Sequence, residues 1–164
     1  GLNYIHKSNI VHRDLSIWNI CYNHFDTRII DFSSSCLFSE HTSNYDLVCI
    51  SNYRPFDVHM GNTLHLPSFD VWSLGCVIYY VHTGLELFNY DPDDNIVIEN
   101  ILFKLGGPNN IRDKIYKKYK KMESGYWNIH TNYDLSKFNY IKKILKFDPS
   151  TRPRLDSIYE LLPF

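Results

Sequence analysis

Apolar positions follow two different rhythms along the chain. Near the start, Leu2, Ile5 and His6 share one helical face, so residues 1–8 read as the end of a helix. Ile10-Val11 is a short apolar step. Ile20-Cys21-Tyr22 and Arg28-Ile29-Ile30 are strand-like runs, and Asn23-His24-Phe25-Asp26 between them carries turn chemistry, which predicts a β-hairpin. Residues 33–52 hold no sustained period and many Ser, Thr and Asn. A loop that long in a small domain is usually functional or mobile.

From Pro67 onward the period is helical. FDVWSLGCVIYYVHTG is apolar nearly all round, which predicts a central buried helix over 68–83, with Ser68 as N-cap and Gly84 as the stop. Asn95 to Leu105 is amphipathic and ends at Gly106-Gly107-Pro108. Leu135 to Phe147 predicts a further helix with Phe138, Ile141, Ile144 and Leu145 inward. Asp148-Pro149-Ser150 breaks it, and Arg154 to Leu162 forms a last short helix. The fold class is mainly α with one small β-hairpin, and there is no internal repeat.

Length and charge narrow the reading. At 164 residues the chain suits one domain. Seventeen Lys and Arg against 18 Asp and Glu leave a formal charge of −1, which is no footprint for nucleic acid or an anionic membrane surface. Lys114, Lys117, Lys118, Lys120 and Lys121, interleaved with Tyr116 and Tyr119, read as a solvated helix face rather than a nucleic-acid surface. No apolar run reaches the roughly 18–20 residues of a membrane span. Cys21, Cys36, Cys49 and Cys76 fit no zinc spacing and read as reduced, buried thiols, which places the protein in the cytoplasm or nucleus. The first residues, GLNYIHKSN, lack an initiator Met and a signal peptide, and are expected to be a cut point within a helix.

The chemistry concentrates in VHRDLSIWNICYNHFDTRIIDFSSS, residues Val11 to Ser35. HRDLSIWN matches H-R-D-L-x-x-x-N at every fixed position, and Asp31-Phe32-Ser33 follows Asn19 by twelve residues. The first pattern resembles the catalytic loop of protein kinases, and the second resembles their Asp-Phe-Gly. Any one of these residues alone reads more simply as a turn former or cap; the three in this order do not. Phosphoryl transfer needs a proton acceptor at the attacking hydroxyl and cations beside the phosphates. The resemblance assigns Asp14 as proton acceptor, and Asn19 and Asp31 as the oxygen ligands of Mg²⁺ with ATP. It implies a loop at 12–19, a metal-binding segment at 31–33 and an activation segment over 31–57.

The resemblance continues to the end of the chain. DVWSLGCVIYYVHTG is similar to the family's central large-lobe helix, whose aspartate, here Asp70, hydrogen-bonds the catalytic-loop backbone. FDPSTRPRL resembles the segment whose arginine, here Arg152, pairs with the acidic residue closing the activation segment, here Asp57. SNYRPFD and LFKLGGPN are similar to the cyclin-dependent and MAP kinase branch, on the serine/threonine side. His12 is expected to pack beneath Asp31-Phe32. Arg13 resembles the arginine that receives an activation-loop phosphate. Thr42, Ser43 and Tyr45 lie in that loop, Tyr45 nearest the family's phosphosite, and an unmodified polar loop is the alternative.

The whole chain matches the large C-terminal lobe of the kinase fold, with helices over 95–162 completing it and the N-terminal lobe absent. Several positions depart from the family. Ser16 stands where a lysine steadies the γ-phosphate, which removes a charge. Ser33 replaces glycine, Pro55-Phe56 replace Ala-Pro, and Ser51 is the hydroxyl nearest the threonine position that approaches the catalytic aspartate. The expectation is a serine/threonine kinase fragment, acting on a protein hydroxyl, that neither binds ATP tightly nor turns it over without the missing lobe or an activating protein. The alternatives are a pseudokinase-like binding module and a helical domain with coincidental motifs.

Overall fold

The structure, a computed structural model, describes residues 1–38, 48–106 and 135–163. Its elements run α1 (Leu2–Lys7), β1 (Ile10–Val11), β2 (Ile20–Asn23), β3 (Asp26–Ile29), β4 (Cys36–Leu37), α2 (Phe56–His59), α3 (Pro67–Thr83), α4 (Asp94–Leu105), α5 (Asn139–Ile144) and α6 (Leu155–Leu161), with single 3-10 turns at Ile17–Asn19, Leu135–Phe138 and Pro149–Thr151.

The long helix α3 is the axis of the fold. Nine of its 17 residues are buried, among them Trp72 and Cys76, and exposure is confined to its last turn, at Val81 and His82. It begins one residue earlier than predicted. Pro67 rather than Ser68 opens it, because a proline at the first helical position lacks only an N–H that would have no intrahelical partner. Gly84 ends it in the left-handed region at φ 72°, with its N–H on the Tyr80 carbonyl at 2.7 Å. Around it lies one core in which Trp72 stacks on Phe88 at 5.9 Å and Phe56 meets Phe147 edge-on at 4.8 Å. Gly75 lets α5 approach closely: a Cβ there would stand 2.8 Å from Leu145 Cδ2 and 3.1 Å from Ile144 Cγ2.

The predicted helix over Leu135 to Phe147 is shorter, a 3-10 turn followed by α5. Leu145 is 2% exposed and Phe147 also packs on the core. Two positions apart on a helix lie about 200° round the axis, so both can turn inward only if the helix stops.

The predicted hairpin forms as β2 against β3, with Ile20 opposite Ile29 and Asn23 opposite Asp26. Its turn is held by the Asn23 side chain, whose Oδ1 accepts from the N–H groups of Phe25 and Asp26 at 3.0 and 2.9 Å. A second pair, β1 with β4, joins Val11 to Cys36 inside the stretch expected to be plain loop. The thiol expectation needs correcting. Cys76 is buried, Cys36 and Cys49 are half-buried, and Cys21 is exposed, since only Ile20 of β2 packs on the core and the rest of the strand projects into water. Burial pushes the Cys76 thiol well above its ordinary range. Residues 107–134, with the Lys-rich run, lie outside the described residues.

Ile141, on α5, is fully buried in the core where α5 packs on α3. Ile141→Ala is expected to cost about 2–5 kcal/mol through lost contacts and the cavity left behind. The urea unfolding midpoint should fall with an unchanged slope.

Candidate active site

The site is assembled from three short pieces of backbone, and each is held by α3 or by the hairpin. The first is the turn His12-Arg13-Asp14, which leaves β1. Asp70, in the first turn of α3 and fully buried, accepts from the N–H of His12 at 2.8 Å and of Arg13 at 2.9 Å. His6 Nε2 on α1 closes on the same carboxylate at 2.7 Å. Arg13 sits at φ 65°, and Asp70 secures it there.

Asp14 and Asn19 form the second piece. Asn19 Nδ2 donates to the Asp14 backbone carbonyl at 2.8 Å and to Asp14 Oδ2 at 3.0 Å. Asp14 Oδ1 is buried with no hydrogen-bond partner. Desolvation pushes the Asp14 carboxyl above its usual range, and the nearby Asp31 charge adds to that. Asn19, the His12 ring and the Ile50 backbone oppose it.

The third piece is Asp31, just beyond β3. Asn19 precedes β2 and Asp31 follows β3, so both stand at the open end of the hairpin, where Ile30 N–H bonds the Asn19 carbonyl at 3.0 Å. Asp31 Oδ1 accepts from Ser33 Oγ at 2.6 Å and Ser33 N at 3.1 Å, and these bonds hold its carboxyl below the usual range. His12 lies under this segment: its Nε2 is 3.0 Å from the Ile30 carbonyl, and its ring meets Phe32 edge-on at 4.9 Å.

The donor set fits a hard cation. Both Asn19 N–H bonds go to Asp14, so its Oδ1 carries no described hydrogen bond, and Asp31 Oδ2 carries none either. Two oxygens of this kind from adjacent elements suit Mg²⁺, which takes one or two protein ligands and completes its shell with phosphate and water. Among the described residues no cluster of three or more His, Cys, Asp or Glu side chains forms a closed metal cage.

The remaining predicted residues fall as follows. Arg152, 7% exposed, pairs with Asp57, stands over the Trp72 ring at 5.1 Å and donates to the Ser68 carbonyl at 3.0 Å. Asp57 and Arg152 therefore meet, as the resemblance implies. Arg13, 5% exposed, donates to the Ser34 carbonyl and meets His65 Nδ1 at 3.1 Å. Ser16 is fully buried and its hydroxyl has no partner. Ser51 does not serve Asp14: its hydroxyl donates to the Asp91 carbonyl at 3.0 Å. Thr42, Ser43 and Tyr45 lie outside the described residues.

Sequence reasoning did not pick out Arg54. Its Nη1 grips both Asp94 oxygens at 2.9 and 2.8 Å, and its Nη2 bonds the Cys49 carbonyl at 2.8 Å. Cys49 lies at φ 75°. These groups wall a cleft of about 440 Å³ beside Asp14, rimmed by Tyr90 and Asp91. The Tyr-Arg pair in SNYRPFD was the available signal, but only the fold brings Asp94 to it.

A hairpin carrying an amide and a carboxylate at its open end, beside a loop aspartate anchored from a buried helix, is the arrangement of a protein kinase. The protein kinase domain family model matches residues 1–161, and the chain belongs to that family. It is 30% identical over 165 residues to a protein of Acanthamoeba polyphaga mimivirus named as a serine/threonine-protein kinase, covering 96% of this chain and 30% of that one. It is 33% identical over 112 residues to cyclin-dependent kinase 14 of Xenopus tropicalis, covering 66% of this chain and 26% of the other. Among solved structures, the yeast RNA Pol II CTD kinase CTDK-1 complex superposes with a TM-score of 0.77 at 20% identity, over 96% of this chain and 56% of that chain. The chain thus spans under a third of the length of these two curated relatives.

The raised position of Asp14 gives a pH test. Folding favours its neutral form, so the ionised carboxylate costs stability once the pH exceeds the unfolded value of about 3.9. Asp14→Asn removes that cost and is expected to raise the Tm at pH 7, with the gain shrinking to nothing as the pH falls toward about 4. Thermal unfolding of both proteins across that range checks it.

Proposed function

We propose that this chain is the large, C-terminal lobe of a serine/threonine protein kinase, which transfers the γ-phosphate of ATP to a protein hydroxyl. The observation that carries the reading is the bond of Asn19 to Asp14, at the hairpin end where Ile30, the neighbour of Asp31, bonds the Asn19 carbonyl. Asp14 takes the proton of the substrate hydroxyl, and its partnerless Oδ1 is the oxygen left for it. Asn19 holds Asp14 in place through Nδ2, and offers Oδ1, with Asp31 Oδ2, to Mg²⁺. When bound, Mg²⁺ offsets the charge on the phosphates. The substrate chain enters along the cleft walled by Arg54, Cys49 and Tyr90.

An N-terminal lobe or an activating protein completes the nucleotide site in this reading. The exposed large apolar side chains Trp18, Ile30 and Phe32, at 69%, 40% and 45%, support it, since they flank Asn19 and Asp31. Tyr45 is the proposed phosphosite, with Arg13 as its receiver; Arg13 now holds Ser34 and His65, so that role requires it to exchange partners.

A second reading, a pseudokinase-like scaffold, draws on Ser16. A buried, uncharged hydroxyl in place of the usual lysine supplies no cation to the transferring phosphoryl group. Transfer of labelled γ-phosphate to a protein substrate by the full-length protein separates the two. Asp14→Ala is expected to lower the rate about 10²–10⁴-fold, and Asp31→Asn to abolish Mg²⁺-dependent transfer. Full activity in both variants overturns the roles given to Asp14 and Asp31, and no transfer by the native protein sinks the enzyme reading. A wild-type protein with no transfer, and partner binding unchanged by Asp31→Asn, establishes the scaffold.

A further inference from the structure

Asp31 is exposed, yet its carboxylate is not free. Both described hydrogen bonds to it come from one residue, Ser33, and both fall on the same oxygen: Ser33 Oγ at 2.6 Å and Ser33 N at 3.1 Å from Oδ1. The 2.6 Å bond is a short, charge-assisted contact. Asp31 itself lies at φ 61°, a left-handed conformation that aspartate tolerates when its side chain bonds its own backbone nearby.

Ser33 is in turn part of an anchored turn. Ser35 N–H closes on the Phe32 carbonyl at 3.0 Å, and Ser35 Oγ donates to the His12 carbonyl at 3.3 Å. Arg13 Nε donates to the Ser34 carbonyl, and the Phe32 ring rests on His12. The turn is therefore tied to the loop that carries Asp14, and the Ser33 hydroxyl extends that fixity to an otherwise mobile carboxylate.

We propose that Ser33 is a positioning residue for the cation site: its hydroxyl occupies Asp31 Oδ1 and leaves Oδ2 as the single oxygen presented to the metal. The proposal rests on Asp31 being a cation ligand. A carboxylate limited to one oxygen suits Mg²⁺, which demands near-octahedral geometry, and disfavours Ca²⁺, which readily takes both oxygens of one carboxylate. Groups that orient a ligand from behind typically matter 10–100-fold in metal affinity. Ser33 thus sets both the strength and the selectivity of the site.

The test uses the full chain with Mn²⁺ as a paramagnetic probe, read by broadening of the amide signals of residues 19 and 31–33, with Mg²⁺ and Ca²⁺ as competitors. Ser33→Ala keeps the N–H bond and loses the hydroxyl. It is expected to weaken Mn²⁺ binding about tenfold and to shift competition toward Ca²⁺. Ser33→Thr keeps a hydroxyl and should restore both. In metal-free samples, the Asp31 χ1 couplings should report one rotamer in the native chain and in Ser33→Thr, and averaging in Ser33→Ala. Equal or tighter Mn²⁺ binding in Ser33→Ala overturns the proposal, the tighter case showing that the hydroxyl competes with the cation. Asp31→Asn separates the two levels. If it removes the broadening while Ser33→Ala does not weaken binding, only the role of Ser33 falls. If Asp31→Asn changes nothing, the cation site itself is wrong, and the role of Ser33 with it.

Discussion

The carboxylate of Asp70 is the interaction on which the site depends. It is wholly buried, and a buried charge costs several kcal/mol unless it is well partnered. Here it has three donors, the N–H groups of His12 and Arg13 and the His6 ring, and it lies in the first turn of a helix, where negative charge is favoured. In return it holds Arg13 at φ 65°, a conformation worth roughly 1–2 kcal/mol of strain in a residue with a Cβ. The next residue is Asp14. The causal order runs from the apolar packing that fixes α3, to Asp70, to a strained turn, to the direction in which Asp14 leaves it. A truncated Asp70 would strand two buried N–H groups, each costing about 1–3 kcal/mol, and would release that turn.

Asp14 shows the opposite economy. One oxygen is held by Asn19 and the other is buried and unpartnered, so folding works against its charge. Ser16, two residues on, likewise buries a hydroxyl without a partner. Native interiors rarely leave such groups unmatched, and unmatched groups concentrate where a ligand completes them. Asp31 differs in kind: exposed, held by Ser33, and stabilised as an anion. The surroundings push the two carboxylates in opposite directions, which suits the proposed division between a proton acceptor and a cation ligand.

Much of this was legible in the sequence, for identifiable reasons. Asp14, Asn19 and Asp31 announced themselves through spacing, and the hairpin between them through turn residues flanked by β-formers. Asp70 was legible because a carboxylate at the head of an apolar helix needs a partner, and Arg152 through the resemblance of FDPSTRPRL to the kinase segment. The pairing of β1 with β4 was not legible, since two-residue strands carry no period. The early end of α5 was hidden because Leu145 and Phe147 are apolar in either conformation. Arg54 was passed over because Asp94, forty residues away, is brought to it only by the packing of α2 on α4. Local chemistry shows in sequence; the partner of a long side chain across the fold does not.

Among the described residues three arginines are nearly buried, Arg13, Arg54 and Arg152, and all three bind described parts of the stretch between Asp31 and Asp57. Arg13 takes the Ser34 carbonyl near its start; Arg54 takes the carbonyls of Val48 and Cys49 and ties them to Asp94; Arg152 takes Asp57 at its end. Burial pulls the Arg152 guanidinium below its ordinary value, against the pull of Asp57, so the arrangement has a real desolvation cost. A guanidinium offers five donors in a fixed fork, and carbonyls of an irregular segment have no ladder to satisfy them. Placing the fork beneath the segment answers both needs at once. The described residues of this stretch are thereby held at the Ser34 carbonyl, at the Cys49 bend and at Asp57, and Cys49 keeps its place in the wall of the cleft beside Asp14.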